Sequence, residues 1–252
     1  MDLDIFYRHY PAVEADVQAA LDESLTPRGP DLLYDLVAAL SLPPGARALD
    51  VGCGDGAHTT RLAARFGFRV TGIDPVAAPG VHAAGRATEL PVASGSVDLI
   101  WCRDVLVHVT PLDRAYAEFR RVLRPGGRAV VYQMYGTALL APAEAEWLFP
   151  TMGVAPANAD PATTEAAIAA AGLSVDQRIE PTSEWGEYAE EHSVNAPGRK
   201  LLHAARLLRA PEHYVQRFGR ATYDIALGDC LWHVYRMLGK LTPRIYVLTK
   251  PA

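Results

Sequence analysis

The chain has 252 residues, half of them hydrophobic and 21% charged, with a net charge of −5, a composition that suits one large α/β domain or two small ones. No apolar run approaches the ~20 residues needed to cross a bilayer, and no basic segment precedes an apolar stretch at the N-terminus, so a soluble cytoplasmic protein with no membrane partner is expected. The acidic balance supplies no footprint for a polyphosphate, although Arg114 to Arg128 holds five arginines, and nucleic acid is not expected as a partner.

Cys53, Cys102 and Cys230 are widely spaced and odd in number, which argues against both a disulfide framework and a paired zinc site. No acids and histidines stand at metal-ligand spacing, so no metal is expected.

Two helices open the chain. The first is expected after Pro11, with Val13, Val17 and Leu21 on one stripe, and the second after Pro30, carrying Leu32, Leu33, Leu36, Val37 and Leu40. Pro43-Pro44-Gly45 stops it.

From residue 46 onward strand-like and helical segments alternate, the pattern of a parallel sheet covered on both faces. Ala46 to Gly52 reads as a buried first strand, followed by a glycine loop and a helix from about Ala57 to Phe66. A second strand, Arg69 to Ile73, ends at Asp74. Only Pro75 to Gly80 separate it from a third strand at Val81 to Ala84, fewer than the dozen or so residues of an ordinary parallel crossover, so a helix there is expected to be short or absent. Val97 to Cys102 is a fourth strand. The next helix places Leu112, Tyr116, Phe119 and Leu123 on one stripe; Pro125-Gly126-Gly127 is expected to end it and to turn the chain into a fifth strand, Arg128 to Met134.

Beyond Met134 periodicity weakens. Thr163 or Thr164 is the expected cap of a helix ending at Gly172, Leu173 to Glu180 a sixth strand, Trp185 to Gly239 mainly helical, and Arg244 to Thr249 a closing strand.

The chemistry-bearing signal is Leu49-Asp-Val-Gly-Cys-Gly-Asp-Gly56 at a strand-to-helix junction. Alternate glycines let the backbone approach a ligand without obstruction by Cβ. The spacing Gly52-x-Gly54-x-x-Ala57 also satisfies a relaxed dinucleotide fingerprint, and Asp74, about 20 residues on, suits ribose hydroxyls in either case.

Three further segments follow in order: Glu89-Leu-Pro-Val, then Gly95-Ser-Val-Asp-Leu-Ile-Trp, then Phe119-Arg-Arg-Val-Leu-Arg-Pro-Gly-Gly127. With them the sequence resembles the class I S-adenosylmethionine-dependent methyltransferases, especially the small-molecule branch typified by ubiquinone and menaquinone biosynthesis enzymes. The resemblance covers roughly residues 46 to 134 and the closing strand. It implies a doubly wound, seven-stranded, mostly parallel sheet with a mainly helical lid. Residues 1–45 would be N-terminal lid helices, 46–134 the cofactor core, 135–243 a helical substrate cover that includes the sixth strand, and 244–252 the closing strand.

The resemblance also implies roles. Asp50 and the loop Gly52, Cys53, Gly54 and Gly56 would meet the methionine moiety of S-adenosylmethionine, and Asp74 with Pro75 the ribose. Arg86 and Ala87 replace the family's small adenine-binding acid, which leaves the Ala87 backbone as the adenine contact. Cys102 and Arg103 would pass beneath the sulfonium. His108, His192 and His233 are candidate bases for an acceptor that must lose a proton. Tyr7, Tyr10, Tyr135, Trp185 and Tyr188 are candidate walls for a small, aromatic or hydrophobic acceptor.

The expected assembly is a monomer or homodimer with a small-molecule substrate. Two other readings stand beside methyl transfer: a methyltransferase-fold protein that uses the cofactor without chemistry, such as a cyclase, and a nicotinamide-dependent oxidoreductase.

Overall fold

The computed structural model describes residues 3–76, 82–192 and 196–252. Its architecture follows from apolar runs that are buried on both faces. β1 (Arg47–Val51) is enclosed from its second residue on, as befits a central strand. α4 (Ala57–Phe66) begins at Gly56 and ends at Gly67, both left-handed, so the chain turns sharply at each end of the helix. β2 (Arg69–Asp74), β3 (Ala83–Ala84) and β4 (Val97–Arg103) follow.

α5 (Leu112–Val122) then lays Leu112, Ala115, Tyr116, Phe119 and Val122 into the core. It leads into β5 (Leu123–Gly136), α6 (Pro142–Thr151), α7 (Pro161–Ala170) and β6 (Ser174–Ile179). Four helices, α8 (Glu184–His192), α9 (Pro197–Arg209), α10 (Pro211–Phe218) and α11 (Arg220–Met237), precede β7 (Leu241–Thr249). The sheet order is β3-β2-β1-β4-β5-β7-β6. β1 to β5 run parallel, and β7 is antiparallel to both β5 and β6.

Strand alternation divides the core between the two sheet faces. Leu49, Val51, Ile100 and Cys102 pack against the apolar stripe of α5 and against Ile168 of α7. Ala48, Leu99 and Trp101 pack on the other side with Leu62 of α4, Leu148 of α6 and Trp185 of α8. Leu33, Tyr34 and Val37 join this second cluster from α3 (Leu32–Ala39). The expected doubly wound, seven-stranded sheet is therefore present.

Several local expectations are corrected. The first helix begins well before Pro11: α1 spans Leu3–Ala12, a π-helical turn occupies Val13–Val17, and α2 covers Gln18–Leu21. Proline lacks the amide for an i→i−4 bond, and Pro11 is accommodated inside α1, one residue before its end. Val13, Val17 and Leu21 are exposed instead of facing a core.

α5 ends at Val122, before Pro125-Gly126-Gly127. Leu123 already pairs with Val97, the next pair is Arg128 with Leu99, and the proline and glycines form an irregularity between them. Gly126, at φ +74, donates its amide to Lys250 O at 2.8 Å.

Neither threonine caps α7. Asp160 does, accepting from the Ala162 amide at 2.9 Å, while Thr164 is buried and accepts from Gln133 Nε2 at 3.3 Å. β7 starts at Leu241, with Pro243 opposite Met134; a proline inside a strand run makes the sequence pattern begin late. The expected short connection after β2 and the Val81 end of the third strand lie largely outside the described residues.

Segments N-terminal to β1 reach the C-terminal helices. Arg28 donates to both carboxylate oxygens of Glu184 on α8, at 2.5 and 2.6 Å, and Ser24 donates to Glu191 at 2.9 Å.

Candidate active site

A parallel sheet exposes loop backbone and side chains beyond the carboxyl ends of its strands. Here β1, β2 and β4 deliver Gly52, Asp74 and Asp104 to one cavity of about 410 Å3, whose other walls include Pro75, Ala87, Val105 and His108.

The glycine loop is held in one shape. Gly52 sits at φ +75, and a Cβ there would lie 2.1 Å from Val105 Cγ2, so any side chain would collide with the wall of the cavity. Its amide donates to Ile73 O at 2.7 Å, as does that of Cys53 at 3.2 Å. Gly54, at φ +52, would point a Cβ into open space. Its amide donates to Asp74 Oδ2 at 3.1 Å, and the Val76 amide donates to Oδ1 at 2.9 Å. Both Asp74 oxygens are thereby oriented, each with a lone pair left for another donor.

Asp50 lies beneath the loop at 2% exposure and accepts from Thr59 Oγ1 at 2.6 Å. Burial pushes its carboxyl up to about 6 despite that bond, and Asp74 and Asp55 add to the rise. The same burial, with Asp50 nearby, raises the Cys53 thiol to about 11. Three carboxylates thus surround the loop, a field that favours a cationic ligand.

The opposite wall carries a residue that sequence reasoning passed over. Asp104 stands one position beyond β4 with φ +57, a left-handed backbone that costs a residue with a Cβ about 1 kcal/mol or more. Its amide donates to Tyr132 O at 3.0 Å. The residue is exposed and lines the cavity. Desolvation pushes its carboxyl up to about 6, and Arg103, Arg236 and His108 pull it back down. An acid immediately past the carboxyl end of a central parallel strand was the available signal.

His108 faces the same cavity. Its Nδ1 lies 2.8 Å from Gly153 O; a carbonyl can only accept, so Nδ1 carries the proton and Nε2 is the ring's basic atom.

Other candidates lie elsewhere. Cys102 packs in the core at 1% exposure, with its thiol raised well above its ordinary value by burial, and does not line the cavity. Arg103 turns to the other sheet face, where it donates to His58 Nε2 at 2.7 Å; His58 Nδ1 lies 2.5 Å from Tyr34 Oη. Burial and the Arg103 charge lower His58 to about 4 and keep it neutral.

Tyr135 is fully buried beside Tyr116 and Tyr246, so the structure removes it from an acceptor wall. Trp185, also buried, stacks on Tyr132 at 4.6 Å between ring centres. Tyr188 stacks on His192 at 4.4 Å, and the His192 Nδ1 pairs with Tyr188 O at 2.9 Å. Tyr7 and Tyr10 are exposed on α1 and do not reach the cavity. His233 is part-buried, its pKa lowered by burial and then by Arg236. Among the described residues, Arg103 Nε, Arg236 Nε, His233 Nδ1 and Trp185 Nε1 are buried without a hydrogen-bond partner.

Comparison with known proteins meets this geometry at the same residues. The family model "Methyltransferase domain" matches 49–131, from β1 through β5. The 27-O-demethylrifamycin SV methyltransferase of Amycolatopsis mediterranei (strain S699) is 32% identical over 146 residues, 52% of this chain and 51% of that protein. The chain spans about half the length, or less, of the curated relatives it matches.

Two solved structures share the fold across most of the chain. The cyclase SpnF has a TM-score of 0.67 at 24% identity, covering 88% of this chain and 82% of that one. Phosphoethanolamine N-methyltransferase 2 of Haemonchus contortus, solved with S-adenosyl-L-methionine, has a TM-score of 0.65 at 18% identity, covering 92% and 55%. No described helix is long and apolar enough to cross a membrane. Residues 49–131 therefore carry a methyltransferase domain by their match to the family model, and the strand order and glycine loop agree with that match.

Proposed function

We propose that the protein transfers a methyl group from S-adenosylmethionine to a small, hydrophobic or aromatic acceptor in a biosynthetic reaction. The observation that carries this reading is the Gly54–Asp74 contact at the mouth of a cavity whose far wall presents Asp104 and His108. The residues fit the cofactor: Gly54 leaves open space where a Cβ would stand, Asp74 offers two oriented oxygens, and Asp50 and Asp55 complement a cation. Asp74 and Pro75 would hold the ribose, the Ala87 backbone the adenine, and the loop with Asp50 the methionine end. When bound, the cofactor supplies an electrophilic methyl on a sulfonium.

The chain's own residues do the rest. In-line displacement needs the nucleophile held within about 3–3.5 Å of the methyl carbon. Asp104 and His108 occupy the wall where an acceptor would be oriented. His108 Nε2 takes the proton of a hydroxyl or ammonium acceptor, and Asp104 accepts a hydrogen bond from it. Residues 46–134 serve the cofactor, and the N-terminal segment with residues 135–243 supplies acceptor specificity. Tyr188, His192 and His233 lie on the C-terminal helices of that cover.

The test is a screen of aromatic and terpenoid metabolites with methyl-labelled cofactor, reading labelled product together with S-adenosylhomocysteine. Equal amounts of the two support the reading. Turnover of a metabolite without S-adenosylhomocysteine contradicts it and points to cyclase-like use of the cofactor.

A further inference from the structure

The C-terminal helices enclose a second cavity. A trench of about 560 Å3 runs between α9 and α11 under α10, and it shares no residue with the glycine-loop cavity. Helical spacing builds it: Lys200, His203 and Arg206 recur every three residues on α9, and Thr222, Ala226 and Asp229 recur similarly on α11. Its floor is apolar, with Tyr223 and Cys230 nearly buried and Tyr214 partly so. The size falls in the range of about 300–1,000 Å3 typical of small-molecule sites.

The charges in the wall do not cancel. Lys200 Nζ lies 2.5 Å from Asp229 Oδ2, which neutralises that pair. Arg206 and His203 have no side-chain ion pair or hydrogen bond among the described residues. One permanently charged guanidinium therefore faces an aromatic and aliphatic trench without a counter-charge. An arginine fork matches a carboxylate in a bidentate manner, and the apolar floor removes an apolar body from water.

We propose that this trench is a second binding site, taking an amphipathic monocarboxylate with its acid on Arg206 and its apolar body over Tyr214, Tyr223 and Cys230. His203 adds a donor to the same acid. One unpaired cation selects a monoanion over a phosphate ester of higher charge.

Calorimetric titration of the whole chain with 4-phenylbutanoate and with its neutral amide tests the proposal. The expected result is one saturable site, with the acid binding about tenfold more tightly than the amide. Arg206→Gln, at an exposed position, removes that preference with an unchanged melting curve. Ala226→Phe fills the trench and weakens both ligands. Asp74→Ala, in the other cavity, leaves the titration as it was. Equal binding of acid and amide, a preference that survives Arg206→Gln, loss of binding in Asp74→Ala, or no binding at all would each overturn the assignment.

Discussion

Asp74 accepts the Gly54 amide at 3.1 Å, so the last residue of β2 and the middle of the glycine loop are fixed to one another before any ligand arrives. On the proposed reading a ribose would meet a carboxylate already aimed, at little ordering cost. Asp74→Ala should weaken S-adenosylmethionine binding by about 1.5–3 kcal/mol, the scale of hydrogen bonds to a charged group. Calorimetry reads this directly, and unchanged affinity would remove Asp74 from the site.

Gly52 and Gly54 should respond differently to alanine. Both are left-handed, which costs an added Cβ about 1–2 kcal/mol, but only at Gly52 does the Cβ strike Val105, at 2.1 Å from Cγ2. Gly52→Ala should therefore lower Tm more than Gly54→Ala, and Val105→Ala should recover part of the loss. Gly54→Ala should fold nearly normally yet bind cofactor poorly, because its Cβ occupies the ligand's space. Equal Tm losses, or no recovery with Val105→Ala, would refute the packing argument.

Cofactor affinity should depend on pH near 6. Burial raises the Asp50 carboxyl to about 6, so below that pH it is largely neutral. A cation bound beside it favours the ionised form and lowers its pKa, so binding expels a proton there. Affinity should rise with pH up to about 6 and level off above it. In Asp50→Asn the rise should shrink; a slope of the same size in that variant would assign it to another group, with Asp104 the next to test.

His108 and Asp104 line the cavity, and on the proposed reading they face the acceptor, so their loss should act on turnover. His108→Ala should lower kcat by about 10²–10⁴, the usual contribution of a positioned general base. The cofactor Kd should stay within about threefold, roughly 0.7 kcal/mol. Steady-state kinetics and calorimetry on one preparation separate the two. Undiminished kcat would show that His108 only braces Gly153.

The glycine loop and the acid that ends β2 were legible in the sequence because their constraints are local. A strand ending in alternate glycines and a second strand ending in an acid predict each other, and the structure brings Gly54 and Asp74 together. Cys102 and Arg103 both stand at the end of β4, but side chains alternate across a sheet. One packs into the core, and the other crosses to His58. Asp104, the next residue, reaches the cavity because its left-handed backbone re-aims the chain, a conformation no periodicity announces. The aromatic residues beyond β5 could not be sorted into core and wall by composition. Tyr135 and Trp185 are core, whereas Tyr188 is partly exposed, and tertiary packing alone makes that distinction.

Whether the glycine-loop cavity holds S-adenosylmethionine is decided by calorimetric titration of the wild-type chain with S-adenosylmethionine, S-adenosylhomocysteine and NAD, repeated with Asp74→Ala. The expected result is one site for each of the two adenosyl sulfur ligands, no binding of NAD, and weakened binding in the variant. Saturable NAD binding that is lost in Asp74→Ala, with no heat from either adenosyl ligand, would contradict it.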